Sequence, residues 1–316
     1  DTKYYFVITD DGYISQRMWF KTCPDNPDEP LSFIVGGDSR NNRPERQNAN
    51  KLVQKLRPHA VIFGGDYVDD GLDSEWENWF IDWQYTMAPD GRMTPIIATQ
   101  GNHELVWTNF PAGNDVVDKL FDTPGVGGDH YYSVTFGDHL IRFYILDSEW
   151  VLSTSYGAQT DWLEADLQSA GNIIWKAAQY HSPARPHESG KPEGTKQYNE
   201  WVPLFDQYDF AFVSENDAHT NKVTWPVKKS SAAGNDEGFI RDDFDGTVYI
   251  GEGCWGAPLR NNDDLKSWTR ASSKQYNVKW VHVRKDTIEI RTVLTDNADS
   301  VSSVSDTNIF ILPANI

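Results

Sequence analysis

AVIFGGDYVDD, residues 60–70, runs from four apolar side chains through two glycines into three aspartates within five positions. A short apolar run closed by Gly-Gly reads as a buried strand and the turn that ends it. A carboxylate at the end of a buried strand needs a compensating charge or donor, because an unpaired buried anion costs on the order of several kcal/mol. A metal ion is one such partner. A helix N-terminus is another, since aspartates after strands often cap the helix that follows.

The same ending recurs along the chain. LSFIVGGD (31–38) is an apolar run that closes on Gly-Gly-Asp, and TPIIATQGNHE (94–104) closes on Gly-Asn-His. The spacing between them predicts helices over 43–56 (RPERQNANKLVQKL) and 74–87, the second carrying Trp76, Trp79, Phe80 and Trp83 on one face. Strand, helix, strand, helix, strand implies right-handed crossovers and a mainly parallel sheet, in which ligands sit beyond the carboxyl ends of the strands. Farther on, HYYSVTF and HLIRFYILD read as paired strands and QTDWLEADLQSA (159–170) as a helix. IIWKAAQYH (173–181) and YDFAFVSENDAH (208–219) read as strands ending in polar residues. TVYIGEG, NVKWVHVR, TIEIRTVL and NIFIL are expected to be antiparallel strands of a second sheet. The class is α/β, with two packed sheets flanked by helices.

Acidic residues outnumber basic ones 47 to 28, a net charge of −19 that repels polyphosphate backbones and argues against a general nucleic-acid binder. The absence of Cys-x-x-Cys spacing excludes a cysteine-ligated metal; Cys23 and Cys254 are either a disulfide or two thiols. No apolar run is long enough to span a bilayer, and the acidic surface points to a secreted or periplasmic protein.

Five strand ends thus carry polar clusters: Asp38; Asp66 with Asp69 and Asp70; Asn102 with His103; His181; and Asp217 with His219. Capping explains one such cluster. Five at successive strand ends are better explained by a shared ion, and this mix of oxygen and nitrogen donors suits Mn, Fe or Zn.

GGDSR, GGDYVDDG, GNHE, YHSP and NDAH, in this order, resemble the blocks of the calcineurin-like metallophosphoesterases, and of their purple acid phosphatase branch in particular. The resemblance covers about residues 30 to 316 and implies a four-layer α/β/β/α sandwich over residues 28–316. Residues 1–27 then resemble the end of a fibronectin-like β domain and a linker. It further implies two divalent or trivalent ions, Fe, Mn or Zn, with Mg or Ca also compatible. Asp38 and His219 would hold the first ion, Asp66 would bridge, and Asn102, His181 and Asp217 would hold the second. A metal-bound hydroxide would attack a phosphate mono- or diester, and His103 would serve the leaving group or a substrate oxygen.

Three positions depart from that pattern. Asp217 stands where the family has His, which adds negative charge and favours harder, oxygen-preferring ions. Asp69 stands where the purple branch has a tyrosine ligand, and is either a metal ligand or the partner that orients His103. Arg40 offers a planar fork for an anionic substrate, or else a salt bridge to Asp69 or Asp217. His187, in a polar Gly/Pro loop, and Trp107, just after GNHE, are candidate substrate contacts. The altered charge and the many tryptophans also leave room for an acidic saccharide as substrate, cleaved by hydrolysis or elimination, or for an inactive binding protein on the same scaffold.

Overall fold

The computed structural model describes residues 1–105, 116–124, 130–149 and 155–305. Trp107 and the NIFIL run lie outside the described residues. The main-chain elements that carry the site are β1 (Leu31–Gly36), α1 (Arg43–Leu56), β2 (Ala60–Phe63), α2 (Asp73–Trp83), β3 (Ile96–Ala98), β4 (Tyr132–Phe136), β5 (Ile141–Ile145), α3 (Ser155–Ser169) and β6 (Trp175–Gln179). They continue with α4 (Thr195–Glu200), α5 (Val202–Gln207), β7 (Phe210–Glu215), β8 (Asn221–Thr224), β9 (Val248–Gly251), β10 (Thr269–Ser273), β11 (Asn277–Val283) and β12 (Ile288–Leu294).

Helix α1 occupies the span its spacing predicts. Pro44 starts it, Glu45 favours its first turn, and Ala49, Leu52, Val53 and Leu56 face inward. Arg57 ends it in the left-handed region, its N–H donating to the Val53 carbonyl. Helix α2 stops at Trp83 and continues as a single 3-10 turn over Gln84–Thr86.

Two sheets lie face to face. One has five strands in the order β12-β11-β1-β2-β3, with β1, β2 and β3 parallel. The other has seven, in the order β10-β8-β9-β7-β6-β5-β4. Leu31, Phe33, Val35 and Ile62 of the first meet Phe143, Ile145, Ala177, Phe212 and Ile250 of the second in a core between the sheets. A second core packs the outer face of the five-stranded sheet against α1 and α2, through Ile34, Phe63, Leu52, Trp79 and Trp255. A third packs the seven-stranded sheet against α3, α4 and α5, through Tyr144, Leu163, Tyr198, Trp201 and Phe205. The result is the four-layer α/β/β/α arrangement.

Two strand assignments differ from the sequence reading. β11 and β12 are antiparallel, as expected, yet they extend the first sheet, β11 pairing along β1. β9 lies in the seven-stranded sheet as expected, antiparallel to β8 but parallel to β7. Apolarity reports that a strand is buried; it does not report which neighbour buries it. Cys23 and Cys254 are separate thiols, and burial pushes Cys254 well up from its ordinary range.

Beneath the strand ends of the second sheet lies a buried charge network. The Lys222 ammonium donates to Glu215 at 2.6 Å and to Glu252 at 2.5 Å, with all three side chains closed to solvent. Glu215 also accepts from the Tyr180 hydroxyl and the Ala184 N–H; Glu252 accepts from Thr220 and from the His187 N–H. His187 itself is wholly buried, its Nε2 2.7 Å from Thr269 Oγ1 and its ring edge-on to Trp268. The expectation that His187 touches substrate is therefore corrected: the ring packs into the fold, with no face open to a ligand.

Two outcomes follow from this network. Replacing Lys222 with Met leaves two carboxylates buried without their cation, so Lys222→Met is expected to lower stability by about 3–5 kcal/mol in urea unfolding. Burial, with the nearby Lys222 and Lys266 charges, lowers the His187 pKa to about 2. The unfolded chain then takes up a proton near pH 6.5 that the folded chain refuses, and stability falls as pH drops below that point. Between pH 6.5 and 5 the wild type is expected to lose up to about 1.4 kcal/mol per pH unit more than His187→Gln, measured by unfolding at each pH.

Candidate metal centre

The loops after β1 and β2 run side by side beyond the strand ends. Asp38 N–H donates to the Gly65 carbonyl at 2.9 Å and Ser39 N–H to the Asp66 carbonyl at 3.0 Å. Trp79 Nε1 holds Ser39 Oγ from α2, and the N–H groups of Gly256 and Ala257 close on the Asp38 carbonyl. Asp38, Asp66, Asp217 and His219 all have positive φ, at 60°, 56°, 65° and 55°. Few side chains accept this left-handed region, Asn, Asp and His most readily. Each residue therefore turns sharply off its strand.

Those turns bring the side chains together. Asp38, Asp66 and His219 form one group whose donor atoms lie within 4.8 Å of one another; Asp66, His181 and Asp217 form a second, and Asp66 belongs to both. His219 Nε2 stands 3.1 Å from Asp38 Oδ1, and His181 Nε2 stands 3.2 Å from Asp66 Oδ1 and 3.2 Å from Asn102 Oδ1. Asp38, Asp66 and His181 are fully buried. Gly253, at φ +78°, faces Asp38 so closely that a Cβ there would stand 2.1 Å from Asp38 Oδ2.

All three imidazoles are aimed in the same way. His181 Nδ1 lies 2.7 Å from the Gly64 carbonyl, His219 Nδ1 lies 2.9 Å from the Pro258 carbonyl, and His103 Nδ1 bonds the Asp69 carbonyl. A carbonyl only accepts, so each Nδ1 carries the proton and each Nε2 points inward. Burial opposes a charge on His181, but the Asp66 and Asp38 carboxylates outweigh it and hold its pKa well above the usual value. Burial likewise opposes the Asp66 anion, and the His181 charge and hydrogen bond, aided by His103, hold that carboxyl far below the usual range.

Glu104 is the clamp on this arrangement. Its carboxylate accepts the N–H groups of Asp66, Tyr67 and Gly101 at 2.9, 2.9 and 2.8 Å.

Whether these residues suit a cation is decided by what they leave unbonded. Among the described residues, Asp38 Oδ1, Asp66 Oδ2 and His219 Nε2 are buried atoms with no hydrogen-bond partner. Buried polar atoms are rarely left so. Two carboxylate oxygens and one imidazole nitrogen that converge without a hydrogen bond, Arg40 Nε being 3.3 Å from Asp66 Oδ2 as an ion pair only, are a fitting ligand set for a divalent ion. The second group is different: Asp66 Oδ1 already accepts the His103 N–H at 3.0 Å, and Asp217 Oδ1 is bonded by the Lys191 ammonium.

Three of the expected positions make specific contacts here. The Arg40 guanidinium bonds the Asp69 carboxylate at 2.5 Å and brings Nε within 3.3 Å of Asp66 Oδ2, so the salt-bridge alternative is the one formed, with Asp69 and not with Asp217. Asp69 stands outside both donor groups. It does orient His103, through its backbone carbonyl; its carboxylate is 3.7 Å from His103 Nδ1. The polar loop that includes His187 does reach the site, but through Lys191. Glu149 also went unread: its carboxylate binds Ser148 and Ser182 and lies near His181 and Asp217. A basic residue between Gly190 and Pro192 was the available signal for Lys191; Glu149 follows a strand without any motif to mark it.

Comparison with known proteins agrees with this geometry. The family model of the calcineurin-like phosphoesterases matches residues 24–213. Curated relatives at 25% identity over 265 residues include an uncharacterised protein of Mycobacterium tuberculosis, with 72% of this chain and 49% of that protein aligned. Another is a probable inactive purple acid phosphatase of Arabidopsis thaliana, with 74% and 41% aligned at the same identity. The chain thus spans half or less of the length of these relatives. Among solved structures, the purple acid phosphatase isolated from yellow lupin seeds matches at a TM-score of 0.73 and 17% identity, over 96% of this chain and 59% of that one. The Plasmodium inner-membrane-complex anchor GAP50 matches at 0.62 and 15%, over 85% and 86%. Both likenesses are likenesses of fold. Among the described residues no helix is long and apolar enough to cross a membrane. The matched stretch covers more than half of the chain and includes Asp38, Asp66, Asn102, His103 and His181, and the chain belongs to the calcineurin-like phosphoesterase family.

Proposed function

We propose that this protein hydrolyses a phosphate ester at a metal centre built on Asp38, Asp66 and His219, with Asn102, His181 and Asp217 around a second position that shares Asp66. The observation that carries the reading is the set of three buried, unbonded donor atoms: Asp38 Oδ1, Asp66 Oδ2 and His219 Nε2. A divalent ion bound there supplies Lewis-acid polarisation of a phosphoryl oxygen and a lowered pKa for water.

The remaining roles belong to the chain's own side chains. His103 keeps its Nδ1 proton on the Asp69 carbonyl and presents Nε2, on a ring partly open to solvent, to the leaving oxygen. In the imidazolium form both ring nitrogens carry protons, and Nε2 can hand its own to the leaving oxygen; such general-acid assistance is worth about 10²–10⁴-fold in rate. Arg40 fixes Asp69 and thereby that carbonyl. Charge favours a diester monoanion over a monoester dianion. Asp38, Asp66, Asp69 and Asp217 carry four negative charges, Arg40 and Lys191 offset two of them, and one divalent ion would offset the other two. The net charge of −19 disfavours a polyanionic substrate.

The test is turnover of bis(p-nitrophenyl) phosphate and p-nitrophenyl phosphate by Mn²⁺-loaded protein. Hydrolysis that favours the diester and is lost on chelation is expected; no turnover of either ester by protein shown to hold Mn²⁺ would refute the reading. Asp66→Ala is expected to abolish metal retention and activity together, since it is the one residue common to both donor groups. His103→Ala is expected to keep its metal and lose about 10²-fold or more in kcat. Metal loss in His103→Ala, read by elemental analysis, would reassign it as a ligand.

A further inference from the structure

The two halves of the centre are not equivalent, and the difference is a side chain outside the ligand set. At the Asp38–Asp66–His219 group the converging atoms lack hydrogen-bond partners. At the Asp66–His181–Asp217 group a cation is already in place: the Lys191 ammonium bonds Asp217 Oδ1, the same oxygen that lies 3.8 Å from His181 Nε2. Both side chains are largely shielded, Lys191 at 15% and Asp217 at 12% exposed.

Lys191 is held there by its loop. Its N–H donates to the Glu188 carbonyl, Ser189 N–H donates to Asp263, and Gly194 N–H returns to the Ala184 carbonyl. Upstream, the His187 N–H is fixed on Glu252, within the buried Lys222 network. The loop that delivers Lys191 therefore shares its anchorage with the strand ends that deliver Asp217, since Glu215 of the same network ends β7 two residues earlier.

Resting on the reading that Asp38, Asp66 and His219 hold a metal ion, we propose that Lys191 is a built-in cation for the second position, so that the chain holds one divalent ion firmly and admits a second only by displacing Lys191 from Asp217. A dication beside a shielded ammonium suffers like-charge repulsion, and Asp217 Oδ1 cannot be fully shared between them. Arg40 stands on the other side, its Nε 3.3 Å from Asp66 Oδ2 as an ion pair without a hydrogen bond.

The test is metal stoichiometry. Wild type, Lys191→Met and Lys191→Arg are stripped with chelator, titrated with Mn²⁺ and followed by calorimetry and electron paramagnetic resonance. One tight equivalent with an isolated-ion spectrum is expected for wild type and Lys191→Arg. Two equivalents with a spin-coupled spectrum are expected for Lys191→Met, its second ion binding about tenfold or more tighter than in wild type. Two tight equivalents in wild type would overturn the role of Lys191 and leave the metal-centre reading standing. One equivalent in Lys191→Met, with circular dichroism matching wild type, would also overturn that role alone. No tight Mn²⁺ in any of the three would overturn the metal-centre reading and this inference with it. Lys191→Gln, closer in shape and polarity, replaces Lys191→Met if the latter fails to fold, with the same outcomes.

Discussion

One carboxylate, that of Glu104, accepts three main-chain N–H groups from two different loops, and the centre depends on it. Asp66 and Tyr67 follow the second strand of the five-stranded sheet; Gly101 follows the third. Asp66 belongs to both donor groups, so a small rotation of its turn would open both at once. Its left-handed φ of 56° is a conformation most side chains avoid, and such conformations persist where the surroundings over-determine them. Burial and the Asp66 charge push the Glu104 carboxyl up to about 8, while its three donors favour the anion. A residue outside both donor groups thus sets the position of the side chain that they share.

The electrostatics of the centre differ from those of the surface around it. The chain carries a net charge of −19, yet at the strand ends each carboxylate meets a local cation or donor: Arg40 at Asp69 and Asp66, Lys191 at Asp217, His181 at Asp66. Asp38 accepts the Asp217 N–H on Oδ2, while among the described residues its Oδ1 and His219 Nε2 have no hydrogen-bond partner. That contrast separates a place for an ion from a region that is merely acidic. The relatives underline why local contacts matter, since the same fold supports a lupin phosphatase and a Plasmodium anchor.

Much of this was legible in the sequence, for reasons that can be named. The α1 span followed from Pro44, Glu45 and four apolar positions at helical spacing. The convergence of Asp38, Asp66, His181, Asp217 and His219 followed from their common place at strand ends, because a parallel sheet delivers all such ends to one rim. What stayed hidden depends on neighbours that local pattern does not encode. The strands at 277–283 and 288–294 are as apolar as a second-sheet strand would be, yet they join the first. Within one loop, His187 turns into the core and Lys191 into the site, a choice made by Glu252, Thr269 and Asp217 together. Asp69 orients His103 with its main chain and not with its carboxylate.

The positive φ at Asp38, Asp66, Asp217 and His219 also restricts how this rim can evolve. A left-handed backbone tolerates chiefly glycine, asparagine, aspartate and histidine, and the last three are short-armed side chains tipped with oxygen or nitrogen. The main chain therefore selects its own vocabulary of coordinating groups. Exchanging one of these residues for another alters formal charge, ionic hardness and preferred element while leaving the turn intact. Divergence at such positions would move the chemistry of the rim without touching the architecture beneath it.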